Sequence, residues 1–309
     1  MRTTIVPGTA TVALFAILAA CAREPSQSEA TTSTDEANGS LKVITVNYPL
    51  AYFAERILGD HGSVSFPAPS DVDPAYWSPP PDVISEYQQA DLILLNGAGY
   101  AAWVANATLP RSRLVDTTSA VSDQLIPISS SVTHTHGPTG DHSHGGTAFT
   151  TWLDLNIAVA QARAVLEAFV RARPQYEADF RGAFATLEAD LRELNSGPEK
   201  ISEQLVNQPV LFSHPVYQYF ERRYNLRGFA VHWEPDEVPE EAQWRQLQSV
   251  LQQHPAKLMI WEAEPLEETR RRLLELGVES VVLEPGGNRP AEGELLDLMR
   301  EGIASLRSQ

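Results

Sequence analysis

The sequence contains a single cysteine, Cys21, in 309 residues. A single cysteine excludes an intramolecular disulfide and a metal cluster held by several thiolates. Basic residues are also scarce: 23 lysines and arginines stand against 40 aspartates and glutamates, which gives a formal net charge of −17. Nucleic-acid binding requires a basic face, so we exclude DNA and RNA as partners. The negative charge is compatible with attracting cations.

The sequence also lacks the short motifs of common hydrolases. It has no His-Glu-x-x-His and no Gly-x-Ser-x-Gly, the patterns that place a zinc ion with its general base or a nucleophilic serine. We therefore expect a binding protein and not an enzyme. A weaker alternative is a zinc hydrolase in which Glu262 acts as the base beside His214, since catalytic zinc needs three protein ligands and an open position.

No apolar run near the start is long enough to cross a bilayer. Residues 12–20 form an uncharged apolar stretch of nine residues, whereas a membrane-spanning helix needs about 20. The stretch suits the core of a signal peptide, and Leu-Ala-Ala-Cys at residues 18–21 resembles the lipidation sequence of bacterial lipoproteins. This resemblance implies that residues 1–20 are removed, that Cys21 is lipidated, and that the protein is anchored to a membrane in the cell envelope, facing the periplasm or the exterior.

Residues 21–40 carry almost no apolar side chain other than alanine. Such a segment cannot bury enough surface to offset the entropy lost on ordering. We predict a flexible tether between the lipid and the folded part.

The remaining chain, about 270 residues, alternates apolar runs with amphipathic patterns and has room for two lobes. Strands are predicted at residues 41–46, 64–66, 91–95, 113–115, 209–212, 228–231, 257–261 and 280–283. Helices are predicted at residues 49–59, 82–89, 152–170, 216–224, 239–253, 265–276 and 292–307, with a further long helix that starts at Pro174 and is interrupted at Gly197-Pro198. This alternation predicts parallel sheets covered by helices.

The predicted fold class is therefore α/β, with two such lobes joined by a long rigid helix. We predict an N-terminal lobe at residues 41–173, a linker helix at 174–207 and a C-terminal lobe at 208–309.

Histidines are concentrated in a loop predicted at residues 133–146. Four of the eight in the chain fall within residues 134–144: His134, His136, His142 and His144. Neutral imidazole suits zinc, copper and nickel, and a tract rich in histidine is compositional support for metal binding. We predict that this tract binds metal.

Further candidate ligands follow the predicted strands of the C-terminal lobe. His214 follows the first strand, His232 and Glu234 the second, Glu262 the third and Glu284 the fourth. Parallel sheets bind ligands beyond the carboxyl ends of their strands, and mixed nitrogen and oxygen ligation is ordinary for zinc. A single histidine after a strand is more often structural, so the convergence favours His214 and Glu262 most.

Several segments of residues 41–309 resemble the zinc- and manganese-binding solute-binding proteins of ABC importers. The similar segments are Asp-Pro-Ala-Tyr-Trp-Ser-Pro at residues 73–79, Ala-Asp-Leu-Ile-Leu-Leu-Asn-Gly at 90–97 followed by Trp103, Thr-Thr-Trp-Leu-Asp at 150–154, Ser-His-Pro at 213–215 and Ile-Trp-Glu at 260–262. The resemblance implies that metal is bound in the cleft between the lobes, with little hinge motion, and delivered to an ABC permease. We expect a monomer.

Two of the histidine ligands that the resemblance implies are missing. They fall at Ala75 and Thr150, so His214 alone remains of the usual three. The histidine tract can supply the missing imidazoles, with His142 or His144 nearest to Thr150. Alternatively, the site is rebuilt in the C-terminal lobe from His214, His232, Glu234 and Glu262, with Asp73 across the cleft. A third alternative is that metal binding is lost and a non-metal ligand takes its place. We favour the first two because the histidine tract otherwise has no explanation.

The abundance of histidine favours zinc over manganese, which prefers oxygen ligands. Nickel and copper are further alternatives. A lipid-anchored metal buffer or metallochaperone without a permease is an alternative function that the sequence does not separate from transport.

Overall fold

The computed structural model describes residues 40–128, 133–135, 141–143, 146–205 and 208–307. The predicted signal peptide, the lipidated Cys21 and the tether up to residue 39 lie outside these residues. So do His136 and His144 of the histidine tract.

The first lobe is built on a parallel sheet with strand order β2-β1-β3-β4. Its elements are β1 (Leu41–Thr45), α1 (Tyr48–Leu58), β2 (Gly62–Ser65), α2 (Pro81–Gln89), β3 (Leu92–Leu95), β4 (Leu114–Asp116), the short strands β5 (Pro127–Ile128), β6 (Thr133–Thr135), β7 (Asp141–Ser143) and β8 (Gly146–Thr147), and α3 (Leu155–Ala172). The strands β5 and β8 form one antiparallel pair, and β6 and β7 form another.

The helix ends in this lobe follow local capping chemistry. The Asn47 side chain accepts from the backbone N–H of Leu50 at the start of α1, and Gly59 ends that helix at φ 54°. The helix predicted from residue 152 begins at Leu155, because the side chain of Asp154 caps it by accepting from the N–H of Asn156. A carboxylate at this position satisfies a backbone donor that the helix leaves open.

The predicted interruption at Gly197-Pro198 is wrong. Helix α4 (Glu177–Leu205) runs through it for 29 residues, a length of about 43 Å. A Cβ atom at Gly197 would lie 2.9 Å from a methyl carbon of Ile303, so the glycine permits close packing against the C-terminal helix. Helix α4 packs against α1 and α3 of the first lobe and against that helix of the second.

The second lobe repeats the same plan. Its parallel sheet has strand order β10-β9-β11-β12. Its elements are β9 (Pro209–Phe212), α5 (Gln218–Arg223), β10 (Arg227–Ala230), α6 (Glu241–Gln253), β11 (Leu258–Trp261), α7 (Glu267–Glu275), β12 (Glu279–Val282) and α8 (Leu295–Arg307). The predicted fold class is confirmed: two lobes of parallel sheet flanked by helices, with a long helix packed against both.

The loop after β12 ties the second lobe to the first. The side-chain amide of Asn288 donates to the carbonyls of Pro69 at 2.7 Å and Val72 at 2.8 Å. The indole of Trp152 donates to the carbonyl of Pro285 at 2.7 Å. These bonds join side chains to backbone carbonyls across the lobes, so they hold the width of the cleft.

Within the described part of the chain, no helix combines the length and the apolar character needed to cross a membrane.

Candidate metal centre

The strand order of the second sheet reverses beside β9: β10 is added on one side of it, and β11 and β12 follow on the other side. His214 comes two residues after β9, and Glu262 comes directly after β11. Parallel sheets bind ligands at such a switch point, beyond the carboxyl ends of the strands. The fold therefore places the two residues that the sequence favoured most at the position where a ligand site is expected.

His214 lies between two carboxylates. Its Nδ1 is 2.8 Å from a carboxylate oxygen of Glu262, and its Nε2 is 3.2 Å from one of Glu234. The imidazole is 3% exposed, whereas the two carboxylates are 25% and 27% exposed. One ligand atom from each of the three residues lies within 4.8 Å of the others. Zinc binds nitrogen and oxygen at about 2.0–2.2 Å, so a small side-chain rotation would bring His214 and one of the two carboxylates onto one ion.

Ser213 holds the strand ends of this cluster together. Its N–H donates to Ile260 at 2.9 Å and its carbonyl accepts from Trp233 at 2.8 Å. Its hydroxyl accepts from the N–H of Glu262 at 3.3 Å. One small residue thus joins the end of β9, next to His214, to the end of β11 and to the segment that follows β10.

The carboxylates change the acidity of His214. Burial alone would lower the pKa of the imidazole, because it penalises the charged form. The hydrogen bonds and charges of Glu234 and Glu262 outweigh burial and raise the pKa to about 9. The metal-free site therefore holds a protonated His214 at neutral pH, and a metal ion must displace that proton.

The other predicted ligands lie around this cluster. Glu284 and Asp73 line the cleft, a cavity of about 200 Å³ that also borders His214 and Glu262. Burial raises the pKa of Glu284. His232 borders a second hollow of about 180 Å³ behind the site, together with His214 and Glu234. The rings of His214 and His232 are 6.3 Å apart.

The histidine tract contributes only backbone geometry. His134 in β6 pairs with His142 in β7, but their side chains, like His136 and His144 as a whole, are outside the part of the chain that the structure describes. The prediction that the tract binds metal stays a prediction.

The first lobe offers no imidazole to the cleft among its described residues. Ala75 and Thr150 are both buried, and the hydroxyl of Thr150 donates to the carbonyl of Val216. The switch point of the first sheet carries Asn47 and Asn96, whose side chains bond to each other at 3.1 Å. Polar groups that satisfy one another in this way hold the lobe together and leave no charge for a metal ion.

Four aromatic side chains form the first-lobe wall of the cleft, and they were not predicted from the sequence as part of a site. They are Tyr76, Tyr100, Phe149 and Trp152. The Phe149 ring lies 6.0 Å from that of Tyr76 and 5.4 Å from that of Tyr100. Tyr76 and Trp152 lie within the segments that resemble the known family. This resemblance was the one feature of the sequence that could have marked them as part of the site.

The chain is similar to known proteins over most of its length. The family model described as "Zinc-uptake complex component A periplasmic" matches residues 43–309. The high-affinity zinc uptake system protein ZnuA of Bacillus subtilis is 23% identical over 304 residues, covering 96% of this chain and 94% of the relative.

The zinc-binding lipoprotein AdcA of Streptococcus pneumoniae is 23% identical over 267 residues and 83% of this chain, but the chain spans only 52% of that relative. The crystal structure of the metal-dependent lipoprotein YcdH of Bacillus subtilis superimposes with a TM-score of 0.74 at 20% identity, covering 87% of this chain and 99% of the other.

Proposed function

The chain belongs to the family of periplasmic zinc-uptake complex A components, and we propose that it captures zinc in the cleft between its lobes for delivery to an ABC importer. The observation that carries the proposal is His214 held between Glu234 and Glu262 at the switch point of the second sheet. Imidazole with carboxylates is an ordinary zinc ligand set.

A metal ion can take only one nitrogen of His214, and the other nitrogen then donates to an orienting group. Glu262 borders the cleft, whereas Glu234 borders the hollow behind it. We therefore place zinc on the cleft side, bound by Nδ1 of His214 and by Glu262, with Nε2–H donating to Glu234. Glu284 and Asp73 lie on the walls of the same cavity and offer further oxygen ligands. The alternative position for zinc is the hollow that His232 borders together with His214 and Glu234.

The proposed cargo is zinc, which both the family and the two relatives carry in their names. Manganese accepts oxygen-rich sites, and nickel and copper bind imidazole well. These three metals are the competitors against which zinc selectivity is to be measured.

The lipid anchor at Cys21 and the permease partner belong to the proposal. The relative AdcA and the structural neighbour YcdH are both named as lipoproteins. We also propose the division into an N-terminal lobe at 41–173, a linker helix at 174–207 and a C-terminal lobe at 208–309, and a monomeric protein.

A calorimetric zinc titration tests the proposal directly. We compare the metal-stripped protein with a variant that lacks residues 134–144. One tight site is expected in both, because the proposed ligands all lie outside the tract. A tight site that disappears with the tract would mean that its histidines replace those missing at Ala75 and Thr150. The absence of a tight site in either protein would refute zinc capture.

Zinc binding is also expected to release a proton. His214 has a pKa of about 9 in the metal-free site, and a metal needs its deprotonated nitrogen. At about pH 7.5 the binding should release about one proton per zinc ion, against about 0.1 for an ordinary histidine of pKa 6.5. Affinity should rise about tenfold per pH unit up to the pKa and then level off. Calorimetry in buffers of different ionisation enthalpy measures the proton count, and a value near zero would contradict the arrangement.

A further inference from the structure

The cleft is larger and more aromatic than a bare zinc ion requires. Its cavity of about 200 Å³ compares with about 30 Å³ for the volume share of one water molecule. Tyr76, Tyr100, Phe149 and Trp152 line one side. The rings of Tyr100 and Trp152 are 5.9 Å apart at 74°, an edge-to-face arrangement. Flat surfaces of this kind favour an aromatic guest and disfavour a shell of metal-bound water.

The charge of the cavity limits what the guest can be. Asp73, Glu262 and Glu284 line it, and no lysine or arginine is among its described lining residues. A chelator that carries carboxylates would be repelled by these groups. A neutral ligand atom that adds no negative charge to the metal is compatible with them.

The hydroxyl of Tyr100 points to the same conclusion. Tyr100 is 7% exposed, and among the described residues its hydroxyl is buried without a hydrogen-bond partner. The neighbouring Gly287 lacks the Cβ atom that would lie 3.6 Å from this hydroxyl and 3.7 Å from the Trp152 ring. A buried polar group without a partner is costly and calls for an explanation. A polar atom of a guest in the cleft would provide one.

The coordination of the proposed zinc ion is also incomplete. The first lobe has Ala75 and Thr150 where the resemblance implies histidines, so it supplies no nitrogen ligand among the described residues. Zinc in protein sites commonly has four ligands. An ion bound by His214, Glu262 and one carboxylate of Glu284 or Asp73 keeps one position for a ligand from the cavity, which the four aromatic side chains also line.

We propose that the cleft takes zinc together with a small neutral ligand of the imidazole class, whose one ring nitrogen binds the metal while its other, N–H, donates to the hydroxyl of Tyr100. The ring lies against the aromatic wall, beside Thr150. This inference rests on the proposed function, because it names the chemical form in which the same site takes its cargo.

Zinc affinity measured with increasing free imidazole tests the inference. The metal-stripped protein should bind zinc about tenfold more tightly at saturating imidazole, within the range typical of coupled sites. Imidazole also binds free zinc, but that competition lowers the apparent affinity and so cannot produce the expected increase. With cobalt in place of zinc, imidazole should shift the d–d absorption of the bound ion, because it adds a nitrogen ligand.

Variants and analogues separate the parts of the inference. Tyr100→Phe should reduce the imidazole effect, whereas Tyr87→Phe should not, because the hydroxyl of Tyr87 donates to the carbonyl of Thr45 in the first-lobe core. 1-Methylimidazole keeps a metal-binding nitrogen but lacks the N–H. It should therefore tighten zinc binding less than imidazole does in the wild type. In Tyr100→Phe the two compounds should have equal effects. Acetate should not tighten zinc binding.

The source of the imidazole is distinguished by the variant without residues 134–144. If imidazole tightens zinc binding only in that variant, the protein's own histidines fill the cleft and the small-molecule ligand is refuted. If imidazole changes neither zinc affinity nor the cobalt spectrum in either protein, the inference is wrong while zinc capture stands. If zinc does not bind under any condition, the proposed function itself fails.

Discussion

Replacing His214 with alanine is expected to weaken zinc binding by more than about 100-fold. Loss of a residue that only orients a ligand typically costs 10–100-fold in metal affinity, and His214 is the one imidazole of the described cluster. Its removal also leaves Glu234 and Glu262 without the group between them, and two carboxylates that approach one another without a cation repel. Competition against a chromogenic zinc chelator measures the change.

The matched control is His61→Ala in the first lobe. His61 is 26% exposed, pairs with Asp179 at 3.0 Å and stacks on Tyr176, and it does not line the cleft. Its loss should lower stability slightly and leave zinc affinity unchanged. Circular dichroism must show that both variants are folded. Wild-type affinity in a folded His214→Ala protein would show that zinc is bound elsewhere, and the histidine tract would become the principal candidate.

The fold could be predicted largely because its strands are short apolar runs. Every residue of β11 is buried, so the run stands out from its surroundings, and Gly277 and Pro265 mark the ends of the helix after it. The strands β5 to β8 were missed because segments of two or three residues carry no periodicity. The Gly197-Pro198 pair was misinterpreted because the packing of Ile303 against Gly197 depends on a helix far along the chain.

The candidate site could be predicted in part for a geometric reason. Parallel strands end at one edge, so residues that come directly after successive strands meet there, and His214, Glu234 and Glu262 do lie together. No comparable rule predicts from the sequence which loop residues meet in the folded protein. The approach of Tyr100 to Gly287, and the bonds from Asn288 that fix the lobes, depend on tertiary contacts between segments about 190 or more residues apart.

The two lobes share a strand order but differ in the side chains at the carboxyl ends of their strands. Asn47 and Asn96 stand at the first switch point, where the second lobe has His214 and Glu262. The amide of Gln161 donates to Asn96 at 3.1 Å, and the hydroxyl of Thr151 donates to the same oxygen at 3.2 Å. This network is neutral and satisfied, so the first lobe acts as a rigid wall and the charged ligands come mainly from the second.

The two carboxylates beside His214 should contribute unequally to zinc affinity. Glu262→Gln removes the charge of a proposed ligand, and we expect it to weaken zinc binding about 100-fold or more. Glu234→Gln removes only the charge of the orienting group, for which about tenfold is expected. Both changes preserve the size of the side chain, so the cavity and the packing around Ser213 should survive. Zinc competition titrations on the three proteins give the ratio.

Proton release distinguishes an orienting role from a structural one. Glu234 raises the pKa of His214, so Glu234→Gln should lower that pKa and reduce the protons released on zinc binding near neutral pH. A variant that is merely less stable would leave the proton count unchanged. Glu264→Gln is the control, because this carboxylate is 69% exposed and lies 3.6 Å from Arg270. If Glu234→Gln proves the more damaging change, zinc lies on the side of the hollow with His232, bound through Nε2 of His214, and Glu262 becomes the orienting group.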